Sequence, residues 1–331
     1  MGLTFLEGFD YANQWADLLP KWREIAPGAG SFVTGRVGSG QALNVFSGGW
    51  RANIFADDPG TTNKIVLGFA IKKTGSTLSD IVRFHDGATE MLAIEYQTDN
   101  KIKVKRGATE ILESTIAIPQ DEWHYLEIKV LFHDSAGTVD LQIDGVPAGS
   151  VSGVDTISGG SACEYIEFRG ASSNSFHLDD VYMGDTSGGF DFLGVCFVAT
   201  VRPTSDDAVQ FTRSGGSANF EMVDETFPDE DTTVNESETS GQQDTFGFGA
   251  LGIPADSVVH AINVSAFVTK PEPGPVEINL VTKTGSTDVS AAKRVVSGYG
   301  RLLEIHLVDP HDAAPWTPAG IDTANFGYKR V

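Results

Sequence analysis

Trp123-His-Tyr-Leu-Glu-Ile-Lys-Val-Leu-Phe132, followed shortly by Val139-Asp-Leu-Gln-Ile-Asp-Gly145, decides the fold class. In the first run Trp123, Tyr125 and the aliphatic residues are set against His124, Glu127 and Lys129, an alternation with the period of a strand rather than a helix. The second run ends on Asp144-Gly145, a dipeptide that tolerates the positive φ of a tight hairpin turn. Outward from this pair the same grammar recurs. Ile65 to Lys72, Asp80 to Asp86 and Met91 to Gln97 are each strand-like and run into a turn, and Lys101 to Arg106 alternates Ile102 and Val104 with lysines. The 37 Gly and 14 Pro cut the chain into short pieces, and Asn13 to Leu19, stopped at once by Pro20, is the chief place with room for a helix. The expectation is an all-β protein of two β-sandwich or jelly-roll-type domains, with under about 15 % helix against a usual third.

The charge narrows the partners. With 23 Lys and Arg against 45 Asp and Glu, the 331-residue chain carries 23 − 45 = −22 at neutral pH, which opposes contact with phosphate backbones or anionic lipid. Neither nucleic acid nor membrane insertion is expected. The longest apolar run, Leu193 to Val201, is broken by Gly194 and Thr200 and falls short of the roughly 20 residues a spanning helix needs. The opening Met-Gly-Leu-Thr-Phe-Leu-Glu-Gly lacks the basic start and apolar core of a signal peptide, so the chain is expected to be soluble, assembled in the cytoplasm and not exported by the usual signal-peptide route. Cys163 and Cys196 form no CxxC and stand beside no histidine cluster, a pattern of buried free thiols rather than of a metal framework.

Asp185-Thr-Ser-Gly-Gly189 is a turn-forming, apolar-poor run between two strand-rich regions and divides the chain into domains 1–187 and 188–331. The downstream half is expected to open with a strand over Leu193 to Arg202, and strands return at Val258 to Thr269, Val276 to Thr282 and Leu302 to Val308. Pro271-Glu-Pro-Gly-Pro275 reads as a stiff hairpin connection between the first two of these. Between Glu221 and Asp244 lie nine carboxylates and no Lys or Arg, so self-repulsion is expected to keep that stretch extended and solvated.

No catalytic constellation stands out. A sandwich-fold glycosidase needs two carboxylates converging on one face; Glu164 and Glu167 are three apart and on a strand face opposite sides. Gly-x-Ser-x-Gly is absent, and Lys283-Thr-Gly285 with Ser290-Ala-Ala-Lys293 matches penicillin-recognising motifs only in reversed order and without their helical scaffold. The seven His offer no His-x-His, leaving His306, Asp309, His311 and Asp312 as the one local cluster. Hard oxygen ligands for calcium could come from Asp179, Asp180 and Asp185, although no fixed-spacing calcium loop is present; otherwise no cofactor is expected. Trp15, Trp22, Trp50 and Trp316 are the candidates for stacking on sugar rings.

Four further stretches carry a resemblance: Gly35-Arg-Val-Gly-Ser-Gly40-Gln-Ala-Leu43, Asp121-Glu-Trp-His-Tyr-Leu-Glu-Ile-Lys129, Val139-Asp-Leu-Gln-Ile-Asp-Gly145 and His177-Leu-Asp-Asp-Val-Tyr182. Together they make the upstream part similar to the concanavalin-A-like, laminin-G-like jelly-roll family. The resemblance implies the fold and is silent on the ligand. Over nearly its whole length the chain also resembles a class of bacteriophage virion proteins that join such a jelly roll to a C-terminal β domain. That likeness rests on Phe5-Leu-Glu-Gly-Phe-Asp10, Gly189-Phe-Asp-Phe-Leu-Gly194, Arg202-Pro203, Asn219-Phe-Glu-Met-Val-Asp-Glu225, Gln243-Asp-Thr-Phe246, Trp316-Thr-Pro and Phe326-Gly-Tyr. It implies a non-enzymatic structural component of the particle, in the tail, a tail fibre or the capsid exterior. Such a component would form a homo-oligomer, contact other virion proteins and adhere to a host-surface glycan. The alternative is a carbohydrate-binding module without catalytic activity.

Overall fold

The computed structural model describes residues 2–18, 21–25, 30–46, 48–53, 62–75, 79–170, 175–295 and 297–331. The chain is all-β and of sandwich type: its sheets are antiparallel, and the single α-helix among the described residues is Pro318–Thr323. The helix expected over Asn13 to Leu19 is one 3-10 turn, Trp15–Leu18, with Asp17 accepting from the amides of Asn13 and Gln14; Leu19 lies outside the described residues. No helix among the described residues is long and apolar enough to cross a membrane. The chain divides into two compact units, Met1–Ala199 and Thr200–Val331.

The first unit contains β1 (Leu3–Glu7), β2 (Glu24–Ile25), β3 (Gly30–Thr34), β4 (Gln41–Val45), β5 (Gly48–Asn53), β6 (Lys64–Lys73), β7 (Ser79–Asp86) and β8 (Thr89–Tyr96). It continues with β9 (Ile102–Arg106), β10 (Thr109–Glu113), β11 (Trp123–Leu131), β12 (Gly137–Ile143), β13 (Val146–Val154), β14 (Tyr165–Gly170) and β15 (Phe176–Gly184). Eight of these form one sheet in the order β13-β12-β11-β6-β15-β4-β3, with β1 also pairing β15; the other seven form a second sheet, β10-β9-β8-β7-β14-β5-β2. One core includes side chains from both sheets. Leu67 and Phe69 of β6, Leu126 and Ile128 of β11, and Val181 and Met183 of β15 are buried with Val82 and Phe84 of β7, Leu92 and Ile94 of β8, and Ile166 and Phe168 of β14. Asp144 and Gly145 take positive φ, +52° and +75°, at the β12–β13 turn, as their sequence requires.

Strict period two corrects one assignment. On β11 the core takes Leu126, Ile128 and Val130, which puts Tyr125 and Glu127 on the opposite face of the sheet. Both are nevertheless buried. After a 3-10 turn at Ser187–Gly189, residues 190–199 pair with no strand and bind the first unit, so the strand expected over Leu193 to Arg202 does not form. The amides of Leu193 and Gly194 each donate to Glu127 Oε1 at 2.9 Å, that of Val198 donates to Asp180 Oδ1 at 2.8 Å, and the Cys196 carbonyl accepts from Arg36. The segment is strand-like in sequence because it is a short apolar run rich in Val, but the amides of Leu193, Gly194 and Val198 are satisfied by carboxylates rather than by a ladder.

In the second unit β16 (Ser205–Ala208), β19 (Gln243–Gly247), β25 (Asn325–Arg330), β21 (Val276–Lys283) and β22 (Thr287–Val289) run in that order, with β23 (Lys293–Val295) also on β21. β17 (Thr212–Arg213) pairs β18 (Asn235–Glu236), and β20 (Ile262–Val268) pairs β24 (Gly300–His306). β20 and β21 lie in different sheets, so Pro271–Pro275 connects sheets and is no hairpin turn. The helix α1 (Pro318–Thr323) starts with Thr317 Oγ1 accepting from the Gly320 amide and packs Ile321 beside Trp316, Leu280 and Phe326. The acidic stretch is not uniformly solvated: Asp244 is fully buried and accepts from the amides of Gln210 and Phe211 and from Asn219 Nδ2.

Gly68 in β6 tests the packing of the first unit. A Cβ there would lie 2.1 Å from Tyr182 Cε1, and Tyr182 is itself held by Glu127 and in edge-to-face contact with Phe190. The Gly68→Ala variant is therefore expected to lose about 1–3 kcal/mol in urea denaturation through overpacking. An unchanged midpoint would show that the ring is free to move aside.

Candidate functional site

The face of the seven-stranded sheet turned away from the core gathers charge. Burial of Ile166 and Phe168 on β14 leaves Tyr165, Glu167 and Arg169 on the other side, and burial of Val82 and Phe84 on β7 does the same for Arg83 and His85. Strand pairing places these residues side by side: Tyr165 opposite His85, and Glu167 between Arg83 of β7 and Arg51 of β5. With Arg23 and the Gly87-Ala88 turn between β7 and β8 they line an open groove of about 480 Å³.

The groove is built around one carboxylate. Glu167, with a side chain only 4 % exposed, lies 3.3 Å from His85 Nε2, 3.6 Å from Arg51 Nε and 3.8 Å from Arg169 Nη1. Burial alone would raise the Glu167 carboxyl, but the His85 hydrogen bond and the charges of His85, Arg51 and Arg169 outweigh it and hold the group below its usual value. Tyr165 stacks on the His85 ring at 4.6 Å and 7°, with the guanidinium carbons of Arg23 and Arg51 4.8 and 5.4 Å from its centroid. Burial raises the Tyr165 hydroxyl pKa, so it stays a donor at neutral pH. At the rim Glu164 accepts from Arg23 Nη1 at 2.7 Å and from the Gly87 amide at 3.0 Å, and Arg83 pairs with Asp80 and Glu90. The Arg51 and Arg169 side chains, 34 % and 45 % exposed, reach Glu167 at 3.6 and 3.8 Å and stay partly open to solvent in the groove lining.

The residues singled out from sequence lie elsewhere. Trp22 and Trp50 are fully buried and meet edge to face at 6.0 Å, and Trp316 is 4 % exposed in the second core with Nε1 donating to the His306 carbonyl. They are core residues, not sugar platforms; the Trp15 side chain lies outside what is described. Asp179 and Asp180 sit at a bulge in β15, where β4 gives way to β1 as its neighbour. Asp179 Oδ2 accepts from the Arg36 amide, and Asp180, fully buried at φ +49°, pairs with Arg36 Nε at 2.7 Å. Asp185 accepts from the amide and hydroxyl of Ser187. Asp179 and Asp180 thus share Arg36 while Asp185 is engaged apart from them, and among the described residues no three His, Cys, Asp or Glu side chains converge on a metal position. Cys163 and Cys196 are free thiols, and burial pushes the pKa of Cys196 up to about 12.

The groove itself went unmarked in the sequence. Its available signal was the i, i+2, i+4 series Tyr165, Glu167, Arg169 and the pair Arg83, His85: polar side chains at strand period between the apolar residues Val82, Phe84, Ile166 and Phe168. Glu164 precedes β14, so the alternation that would set it opposite Glu167 does not reach it.

No family model and no curated protein matches the chain. Solved structures similar to it include an endo-β-1,4-glucuronan lyase from the fungus Trichoderma reesei, at 15 % identity and TM-score 0.39 over 56 % of this chain and 96 % of that one. A Trypanosoma rangeli sialidase is similar at 13 % identity and TM-score 0.36, over 55 % of this chain and 30 % of that one. Domain 4 of a Geobacillus stearothermophilus arabinanase, complexed with arabinotriose, is similar at 14 % identity and TM-score 0.40 over 56 % and 92 %. These likenesses concern the fold. The expectation that the chain is not an enzyme is corrected to this extent: a lyase and a sialidase are among the similar structures, so the absence of hydrolase motifs does not exclude catalysis. That expectation had rested on the virion-protein resemblance together with the absence of a catalytic motif.

Burial, then repulsion from Asp180, raises the Asp179 carboxyl from 3.8 to about 7. Between those values the folded protein holds a proton that the unfolded chain has released, so this group's contribution falls as pH rises through the window. The expected outcome is a melting temperature that declines from mildly acid to neutral pH, with a shallower decline in Asp179→Asn. The same slope in both proteins would remove Asp179 as its source.

Proposed function

We propose that the first unit recognises an acidic glycan in the Arg-lined groove, and that the chain does so as a component of a bacteriophage virion that adheres to the host surface. The carrying observation is the groove: four guanidinium groups, an imidazole and a tyrosine hydroxyl line one open depression on a chain of net charge −22. The lining carries four guanidinium groups against the one carboxylate of Glu167, while Glu164, Asp80 and Glu90 hold Arg23 and Arg83 at the rim, so positive charge is concentrated here relative to the acidic surface around it. Guanidinium forks match carboxylates two bonds at a time, and Glu167 is an internal example of the group they would receive. The openness of the groove suits an extended saccharide. Placement on the particle is supported by the motifs that begin at Phe5-Leu-Glu-Gly-Phe-Asp10, and the homo-oligomer and virion-protein partners belong to that part of the proposal.

Calorimetry with oligouronates and with their carboxyl-reduced counterparts tests the first part. The acidic forms are expected to bind and the reduced forms not, with Arg51→Ala weakening binding about tenfold, the value of one charge-assisted contact. Equal binding of both forms would remove the acidic-glycan reading. Shortening of the bound saccharide during the titration would make the groove an active site. Immunogold labelling of purified particles tests the second part, and unlabelled particles would sink it.

A further inference from the structure

The register of the seven-stranded sheet extends the groove. Arg51 of β5 is paired with Glu167 of β14, Glu167 with Arg83 of β7, Arg83 with Ala93 of β8, and Ala93 with Lys105 of β9. Directly paired residues of neighbouring antiparallel strands project from the same face, so these five form one row running across the strands. Ile102 and Val104 are fully buried in the core, which confirms that Lys105 belongs to the outer face. Along the row a cation recurs at every second strand: Arg51, Arg83, Lys105. Strands lie ~4.8 Å apart, so the cations repeat at roughly 10 Å and the row spans about 19 Å. Between Arg83 and Lys105 stands only the short side chain of Ala93.

We infer that the saccharide site continues from the groove across β8 to Lys105, and that its ligand is a linear polyuronate lying across the strands, with same-side carboxylates on Arg51, Arg83 and Lys105. This rests on the acidic-glycan reading of the groove. A pyranose residue spans about one strand spacing. In a flat, two-fold β-linked chain alternate sugars are turned over, so carboxylates facing one side recur every second sugar, in step with the cations. Lys105 Nζ is paired with Glu95 Oε2 at 3.2 Å, its side chain 28 % exposed, and its neighbour Lys103 is paired with Glu110 and Glu113. An ammonium has three N–H donors, so Lys105 can keep its bond to the buried Glu95 and still meet a ligand carboxylate, and the guanidinium of Arg83, paired with Asp80 and Glu90, has five donors to share in the same way.

The experiment is calorimetric titration of the full chain with di-, tetra- and hexasaccharides of β-1,4-linked glucuronate and mannuronate. Lys105→Ala is compared with Arg51→Ala and with Lys129→Ala, which lies on the other sheet. Affinity is expected to rise about tenfold from di- to tetra- or hexasaccharide, and Lys105→Ala to abolish that gain while leaving the disaccharide unchanged. Lys129→Ala should bind all lengths as the parent does. Circular dichroism and the melting temperature check that each variant is folded. Affinity independent of length, or a length gain untouched by Lys105→Ala, overturns the extension and leaves the groove reading in place if Arg51→Ala still weakens binding. No binding at any length overturns both.

Discussion

Burial of Ile166 and Phe168 against the opposing sheet is the constraint on which the site depends. A strand has only two faces, so fixing those two residues inward fixes Tyr165, Glu167 and Arg169 outward, and a slip of one residue would send the charges into the core. Phe168 is anchored by Phe69 at 5.4 Å and by Trp22 at 6.0 Å, and Trp22 meets Trp50 and Phe5 in turn. The tryptophans thus serve a ligand site indirectly, by holding the register that places the arginines. Removing one would disturb the groove without having touched a ligand.

The two outer faces of the sandwich treat charge in opposite ways. On the eight-stranded sheet, Glu127 and Asp180 are sealed beneath residues 190–198 and take their hydrogen bonds from backbone amides, Tyr182 and Arg36. A carboxylate so placed supplies acceptors to a segment that has no strand neighbour, which satisfies the segment's amides and accounts for its attachment to the first unit. On the seven-stranded sheet, Glu167 is just as buried, yet its partners are side chains of which Arg51 and Arg169 remain partly open to solvent. One face has used its polar groups internally. The other leaves charged side chains partly at the surface.

Most of the fold was legible in the sequence because strands of this kind advertise themselves by alternation. Lys101 to Arg106, Val139 to Ile143 and the Asp144-Gly145 turn form as their side chains dictate. The failures have physical causes. Leu193 to Arg202 has the short apolar, Val-rich run of a strand, but a strand needs a partner ladder, and the sequence does not show that buried carboxylates will take the amides instead. Tyr125 was assigned to the core with Trp123 because large aromatics usually mark it, whereas the core of β11 belongs to Leu126, Ile128 and Val130. Trp22, Trp50 and Trp316 could stack on sugars by residue type, and burial alone decides that they do not.

The groove was illegible for a different reason. Its residues come from positions 23, 51, 83–88 and 165–169, and no spacing in the chain links them. They meet because β14 inserts between β5 and β7, an order that follows from how the sheet closes and not from local sequence. A motif search looks for chemistry on one loop or one helix; a sandwich distributes its chemistry one residue per strand, at right angles to the chain. The row from Arg51 to Lys105 is the extreme case. It becomes visible only when register is known, and register also gives it meaning, since cations separated by tens of residues in sequence stand at a repeat comparable with that of a polymer lying across the strands.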